Sequence, residues 1–271
     1  MKQSVLVPLS IVPISETSER VTWPMLQALL FIHRFRHSTA RQLQINRSHS
    51  DPKSTYKQLR QLQRLGFIAK KSYARTGKAH QDVTYYLTPT GLSVLQEHFP
   101  DRTFRRPRSI AADAILSPTQ RARYTVLADA YVHFKRHHDG HFEFFTAHDL
   151  VQVGYVPDCI PDGYVRLDIP GQATRHMFIE IFGWGRAHHS QQYRFSSYMN
   201  FAEATEWEAV TGTPTPGLHI VAQSPASRSR LHAQLEPLLA SSLLTDYPVR
   251  TSLATALDSE VSDIWQSLDY N

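Results

Sequence analysis

The sequence predicts an α+β protein with two domains, and three observations support that prediction. The chain has 271 residues, 41% of them hydrophobic, which is enough for two modest domains with their own cores. Before residue 100, apolar residues recur first at helical spacing and then along two short β-rich runs. In the second half, short β-rich runs alternate with helical stretches, which is typical of an α/β domain with a small mixed sheet.

The two halves of the chain differ in charge. Residues 1–109 hold 18 Lys and Arg against 6 Asp and Glu, whereas residues 110–271 hold 11 against 18. This asymmetry predicts two domains with different partners. A strongly basic half favours nucleic acid, because each neutralised phosphate releases counterions. A solvated basic face, or contact with an acidic membrane surface, is the alternative.

The sequence excludes some classes of protein. No apolar run approaches 18 residues, so no membrane span is predicted. The first residues lack the pattern of a signal peptide, because Pro8 breaks a short apolar stretch, and we expect a cytoplasmic protein. The single cysteine, Cys159, excludes an internal disulfide and a multi-cysteine zinc site, and we expect it to be a buried thiol.

Three helices are predicted after a loose N-terminal arm at residues 1–20. Trp23 and Pro24 begin the first helix, since proline suits a first turn. Ser38 and Thr39 are candidate N-caps of a short second helix. The third helix follows Asp51, which is predicted to cap it, and ends at Gly66. Its predicted core-facing stripe is Tyr56, Leu59, Leu62 and Leu65.

A hairpin and a last helix complete the first domain, at residues 21–99. The runs 67–71 and 83–87 are β-rich, and the polar turn 75–82 separates them. A helix then covers residues 92–99. The order of three helices, two strands and one helix predicts a winged helix-turn-helix domain.

A winged helix in a basic half indicates binding to double-stranded DNA, with the third helix in the major groove. Lys and Arg suit phosphates, while Gln and Arg can recognise base edges. The predicted DNA-binding residues lie on the third helix and the wing: Lys53, Ser54, Lys57, Gln58, Gln61, Arg64, Lys70, Lys71, Arg75 and Lys78, with His80 beside them. Use of the winged helix for protein contacts is the alternative.

Residues 100–109 are rich in Pro and Arg and are predicted to be a basic linker. Residues 110–271 are predicted to form the second domain. Its predicted helices are 110–138, 188–204, 224–239 and 255–268, and its predicted strands are 142–145, 164–167, 177–182, 218–222 and 247–251.

Two acidic residues on neighbouring strands suggest chemistry in the second domain. Asp162 precedes one predicted strand, and Glu180 lies inside the next, 18 residues later. Two such carboxylates can hold a hard divalent cation at one sheet edge, and the ion could activate water against a phosphodiester. Alternatively, Asp162 caps a turn and Glu180 has a protein partner, since a buried carboxylate requires one.

This arrangement resembles the PD-(D/E)xK nuclease fold, with Asp162 as the first acid and Glu180 as the second. Phe182 stands where the fold has its lysine. In the following helix, Arg194 is the only basic side chain besides histidines, and arginine is a poor base. Further candidates to line the cleft are Gln191, Gln192 and Tyr198. The resemblance therefore implies a degenerate site, or, if the site is active, a nuclease that uses Mg²⁺ or Mn²⁺.

The chain also resembles the replication-relaxation proteins of plasmids and other mobile elements, over about residues 23–268. The resemblance rests on the order of six segments: 59–68, 85–91, 161–163, 179–181, 218–228 and 264–265. The family usually has a second acid soon after the strand glutamate and a lysine before a tyrosine in the next helix. This chain has Phe182 near the first position and Arg194, four residues before Tyr198, near the second.

Three hypotheses follow. The first is a non-enzymatic, sequence-specific DNA-binding protein of a mobile element that acts in replication, transfer or their control. The second is a metal-dependent DNA nuclease or nicking enzyme that uses Asp162 and Glu180. The third is a winged-helix transcription regulator whose acidic half dimerises or senses a ligand. A homodimer and contacts with replication or transfer proteins remain open.

Overall fold

The computed structural model describes residues 21–47, 51–74, 81–185, 187–241 and 247–267. These residues divide into two compact units, one ending at Ala128 and the other beginning at Asp129. Both contain helices and strands, which confirms the predicted α+β class. The arm predicted at residues 1–20 lies outside the described residues. No described helix combines the length and the apolar character that crossing a membrane requires.

The first unit consists mainly of helices and a two-stranded hairpin. Its elements are α1 (Trp23–Phe35), α2 (Ala40–Asn46), α3 (Pro52–Arg64), β1 (Ile68–Ala74), β2 (Gln81–Leu87), α4 (Pro89–His98) and α5 (Pro107–Ala112). The two strands are antiparallel, with Ile68 opposite Leu87. The element order is that of the predicted winged helix.

Local sequence signals determine where several of these elements begin and end. The Thr39 hydroxyl accepts a hydrogen bond from the Gln42 amide at 3.3 Å, and the Gln42 side chain accepts one from the Thr39 amide at 2.8 Å. This capping box begins α2. Gly66 follows α3 with a φ of 74°, a conformation that glycine adopts without strain. Asp51 occupies the predicted N-cap position of α3, but its side chain makes no capping hydrogen bond.

Residues 100–109 are not a free linker, which corrects the prediction. The Arg105 side chain is buried, its backbone amide donates to Nε2 of His33 at 3.1 Å, and its guanidinium donates to Asp113 at 2.9 Å. Arg36 pairs with the same carboxylate at 2.7 Å. Because these contacts attach residues 100–128 to the winged helix, the boundary between the units follows Ala128 rather than residue 109.

The single helix predicted for residues 110–138 is also corrected. The structure has α5, a 3-10 turn at Asp113–Ile115 and then α6 (Pro118–His138). Pro118 explains the break, because it lacks an amide hydrogen and restricts the residue before it. The boundary between the two units therefore falls inside α6.

The second unit contains a mixed sheet, as predicted, but with six strands rather than the five predicted. In sheet order its strands are β3 (Phe142–Thr146), β4 (Gly163–Leu167), β5 (Arg175–Phe182), β6 (Gly217–Ala222), β7 (Val249–Leu253) and β8 (Gln266–Ser267). Strands β5, β6 and β7 are parallel, and the other neighbouring pairs are antiparallel. The connecting helices are α7 (Ala147–Leu150), α8 (His188–Glu203), α9 (Glu206–Thr211) and α10 (Pro225–Ser241).

The helix predicted for residues 255–268 is wrong. A 3-10 turn covers Ala254–Asp258, and β8 follows it. Trp265 packs on the rings of Phe134 in α6 and His219 in β6, with centroids 6.4 and 4.7 Å apart. Packing of this segment against the unit overrides its helical spacing.

The core of the second unit includes side chains from one face of the sheet and from α8 to α10. Phe178 and Phe182 of β5 belong to it, together with Phe195 and Tyr198 of α8. Side chains alternate along a strand, so Glu180 lies on the same face as these two phenylalanines. The fold thereby places a carboxylate, 2% exposed, among aromatic rings.

Candidate functional site

The outward face of α3 carries four cations. Three side chains of α3 are buried and face the core: Thr55, Leu59 and Leu62. Because a helix turns by about 100° per residue, these three positions also identify the residues on the opposite, outward face. It carries exposed cations about one turn apart, which we call the α3 stripe: Lys53, Lys57, Arg60 and Arg64.

No acidic side chain neutralises the α3 stripe within the described residues. The helix contains no Asp or Glu. None of the four cations has a hydrogen bond or ion pair among the residues that the structure describes. The stripe therefore presents positive charge to solvent, and its side chains are available to a ligand.

Polar and aromatic residues flank the α3 stripe. Ser54 and Gln61 are exposed on one side, as predicted. Tyr56 lies on the other side and is 52% exposed, so its predicted place in the core is wrong. Thr55 takes the core position in that turn, and Leu65 is only half-buried.

Gln58 is less accessible than the sequence suggested. Its side chain is half-buried, and its Oε1 accepts a hydrogen bond from Arg47 at 2.6 Å. Arg47 follows α2, so this hydrogen bond connects the end of α2 to α3. Gln58 is thereby positioned by the protein itself, with its acceptor oxygen occupied.

Sequence reasoning missed Arg60 in the α3 stripe. Arg60 lies three residues after Lys57 and four before Arg64, and this helical spacing could have identified it. On the wing, Lys70 and Lys71 of β1 are exposed. The other predicted wing residues, Arg75, Lys78 and His80, lie outside the described residues.

The second candidate site is the Glu180 cluster, which consists of Asp162, Glu180, Arg194 and Tyr198. The Arg194 guanidinium donates from Nε to Glu180 Oε1 at 2.9 Å and from Nη2 to Oε2 at 2.5 Å. The Tyr198 hydroxyl donates to the same Oε2 at 2.8 Å. Arg194 also donates to the Ile160 carbonyl at 2.9 Å. Both oxygens of the buried carboxylate are therefore bonded to protein donors.

Strand pairing brings Asp162 next to this carboxylate. Gly163 of β4 lies opposite Ile179 of β5, so the residue before β4 lies beside the middle of β5. The Asp162 carboxylate accepts a hydrogen bond from the Ile181 amide at 2.9 Å and is 8% exposed. The structure thus brings together the two acids that the sequence predicted to meet.

The electrostatics of the cluster favour a permanent ion pair. Burial by itself would lower the pKa of Arg194, but Tyr198 and Asp162 outweigh it and raise that pKa, so the guanidinium stays charged. Burial raises the pKa of Tyr198 well above its usual value, so its hydroxyl stays protonated and donates. Such a pair is satisfied by short, charge-assisted hydrogen bonds.

The cluster does not fit the divalent metal ion that the nuclease resemblance implies. Glu180 has no free oxygen, and a cation there would meet the positive charge of Arg194. Phe182 is apolar where the resemblance requires a lysine. Among the residues that the structure describes, no group of three or more His, Cys, Asp or Glu could hold a metal ion. Gln191 lines a narrow crevice beside Glu180, whereas Gln192 is exposed.

Cys159 is also part of this environment and is buried, as expected. Its thiol donates to the Arg194 carbonyl at 3.3 Å, and its amide donates to the Ser197 hydroxyl at 3.1 Å. Burial raises the pKa of the thiol, which disfavours the nucleophilic thiolate.

Comparisons with known proteins identify the family. No curated protein matches the chain. Among solved structures, PadR of Bacillus subtilis in complex with operator DNA is similar at 16% identity, covering 49% of this chain and 78% of that chain, with a TM-score of 0.25. The replication-relaxation family model matches residues 29–215, which is more than half of the chain. The protein therefore belongs to the replication-relaxation family.

Proposed function

We propose that this protein binds double-stranded DNA sequence-specifically and acts in the replication or transfer of a plasmid or other mobile element, or in their control. The α3 stripe is the observation that supports this function. It places four exposed, unpaired cations on the third helix of a winged helix. Family membership supports the link to replication.

The position of the stripe suits the major groove. In helix-turn-helix proteins the equivalent helix enters this groove, and side chains on its outer face contact phosphates and base edges. Cations along the whole length of α3 can contact phosphates on both sides of the groove. Lys70 and Lys71 of the wing supply further exposed charge close in sequence to the end of α3.

We propose in addition that the second unit is not a catalyst and needs no cofactor. The internal neutralisation of Glu180 by Arg194 and Tyr198 supports this proposal, because it removes the negative site that a metal ion needs. An acidic unit also repels the DNA backbone. Its role is then to bind a protein partner or a second copy of the chain.

The first experiment measures affinity for a 30-base-pair duplex by fluorescence anisotropy, at several salt concentrations. We expect Lys57→Ala and Arg64→Ala each to weaken binding and to lower the slope of log K against log salt by about 0.9 for each lost phosphate contact. Arg166→Ala is the matched control, since it removes one positive charge from an exposed position of β4 in the other unit. Unchanged affinity in both α3 variants would contradict the proposed binding mode.

A second experiment tests the absence of catalysis. Supercoiled and linear DNA are incubated with Mg²⁺ or Mn²⁺ and either the wild type or Asp162→Ala. We expect no cutting by either protein. Metal-dependent cutting by the wild type that is lost in Asp162→Ala would contradict the proposal and show that the protein is a nuclease.

A third experiment maps the DNA site to which the protein binds. A site at a promoter would indicate a transcription regulator, and a site at an origin would indicate a replication protein.

A further inference from the structure

We infer that α3 recognises guanine, and that Arg60 is the residue that determines this specificity. The inference rests on the proposed function, because it assigns base recognition within the same DNA-binding surface. It assigns different tasks to the cations of the α3 stripe: Arg60 contacts a base, and the two lysines and Arg64 contact phosphates.

The place of Arg60 along the helix supports this division. α3 has 13 residues, of which Lys53 is the second, Lys57 the sixth, Arg60 the ninth and Arg64 the last. Lys57 and Arg60 are therefore the two interior cations, and of these only Arg60 has a planar guanidinium. The terminal cations lie nearest to the two walls of the groove, where the phosphates are. Arg60 lies away from both ends of the helix, on the exposed face opposite the buried Leu62. A side chain there points at the floor of the groove, where the base edges lie.

The chemistry of Arg60 selects the base. A guanidinium presents parallel N–H donors and no acceptor. In the major groove, guanine alone offers two acceptors, N7 and O6, in the arrangement that this fork matches. Adenine offers one donor and one acceptor and therefore suits an amide side chain. Gln58 would supply such an amide, but Arg47 occupies its acceptor oxygen.

The surroundings of Arg60 leave its guanidinium free for this contact. Arg60 lies near Tyr85 of β2. Burial and Tyr56 raise the pKa of Tyr85, whereas the positive charge of Arg60 lowers it. Tyr56 is exposed one turn earlier on the same flank. Among the residues that the structure describes, two tyrosines but no carboxylate lie beside Arg60, so none of them forms an ion pair that would compete with a base for its donors.

The test begins with selection of duplexes from a random pool by the wild-type protein. Each selected guanine is then replaced by 7-deazaguanine, which lacks the N7 acceptor and keeps Watson–Crick pairing. We expect one replacement to weaken wild-type binding about fivefold or more. Arg60→Ala should bind more weakly than the wild type and should lose sensitivity to that same replacement.

Two further variants separate base recognition from phosphate contact. Arg60→Lys keeps the charge but lacks the planar fork, so it should retain part of the affinity and lose the sensitivity to 7-deazaguanine. Arg64→Ala should weaken binding to all duplexes alike and retain that sensitivity.

The outcomes distinguish the inference from the function on which it rests. Selected sites without guanine, or unchanged sensitivity to 7-deazaguanine in Arg60→Ala, would overturn the inference while DNA binding stands. Failure of the folded wild type to bind any duplex at low salt would overturn both.

Discussion

Removal of the Arg194 side-chain charge should strongly destabilise the second unit. The Glu180 side chain is 2% exposed and that of Arg194 is 13% exposed, so the pair is screened little by water. Arg194→Met keeps an apolar stem of similar length and removes both donors to Glu180. The carboxylate then retains Tyr198 but loses its counter-charge. Breaking a buried ion pair in this way costs about 3–5 kcal/mol.

This cost is a large part of the stability of a domain, which is about 5–15 kcal/mol. The measurement is the free energy of unfolding in urea, followed by tryptophan fluorescence. Three of the four tryptophans, Trp184, Trp207 and Trp265, lie in the second unit, so fluorescence reports mainly on its unfolding. Circular dichroism follows both units together.

Arg166→Met is the matched control for Arg194→Met. Arg166 also pairs with carboxylates, Asp168 at 3.0 Å and Glu143 at 3.6 Å, but its side chain is 46% exposed. An exposed pair contributes about 0–1 kcal/mol, so this variant should unfold nearly as the wild type does. The double variant Glu180→Leu/Arg194→Met should recover most of the lost stability, because no unpaired charge remains. A free energy of unfolding for Arg194→Met within 1 kcal/mol of the wild-type value would refute this reasoning.

Three other predictions concern the stability of the two units. Burial lowers the pKa of His219 to about 3, so below pH 6.5 the unfolded chain binds a proton that the folded chain excludes. The free energy of unfolding should therefore fall from pH 6.5 towards pH 3, by about 2 kcal/mol between pH 7 and 5. Urea unfolding at pH 7 and pH 5 should show a smaller loss for His219→Gln than for the wild type. A Cβ on Gly91 would lie 2.1 Å from the Phe67 carbonyl oxygen. Gly91→Ala should therefore lower the thermal midpoint of the first unit by an amount corresponding to about 1–3 kcal/mol. The control is Gly154→Ala, which places its Cβ in open space and should not lower the thermal midpoint of the second unit. Asp113→Asn removes the counter-charge of buried Arg105 and should cost about 3 kcal/mol in urea unfolding; a loss below 1 kcal/mol would show that Arg105 is satisfied by other groups.

Much of the winged helix could be predicted from the sequence, because its signals are local. Thr39 and Gln42 lie three residues apart and form the cap that begins α2. Gly66 adopts the positive φ that ends α3. The exposed positions of Lys53 and Lys57 follow from the spacing of the buried leucines on the same helix. In each case the residues that determine the structure are neighbours in sequence.

The failures have a different origin. Residues 100–109 have the composition of a linker, but Arg105 contacts His33 and shares the carboxylate of Asp113 with Arg36, which attaches them to the winged helix. Residues 255–268 have helical spacing, but Trp265 packs between Phe134 and His219 instead. Arg105 and His33 are 72 positions apart, and Trp265 lies 46 positions from His219. Contacts between residues distant in sequence therefore decided both segments.

The sequence by itself determined that the protein has a basic winged helix followed by an acidic α/β half with Asp162 and Glu180 on adjacent strands. Charge asymmetry, periodicity and caps depend on residues close together in the chain, so they can be recognised without coordinates. Only the tertiary structure decided that Arg194 and Tyr198 occupy both oxygens of Glu180. A buried carboxylate must be neutralised or coordinated, and the choice between a metal ion and a guanidinium depends on how α8 packs against β5.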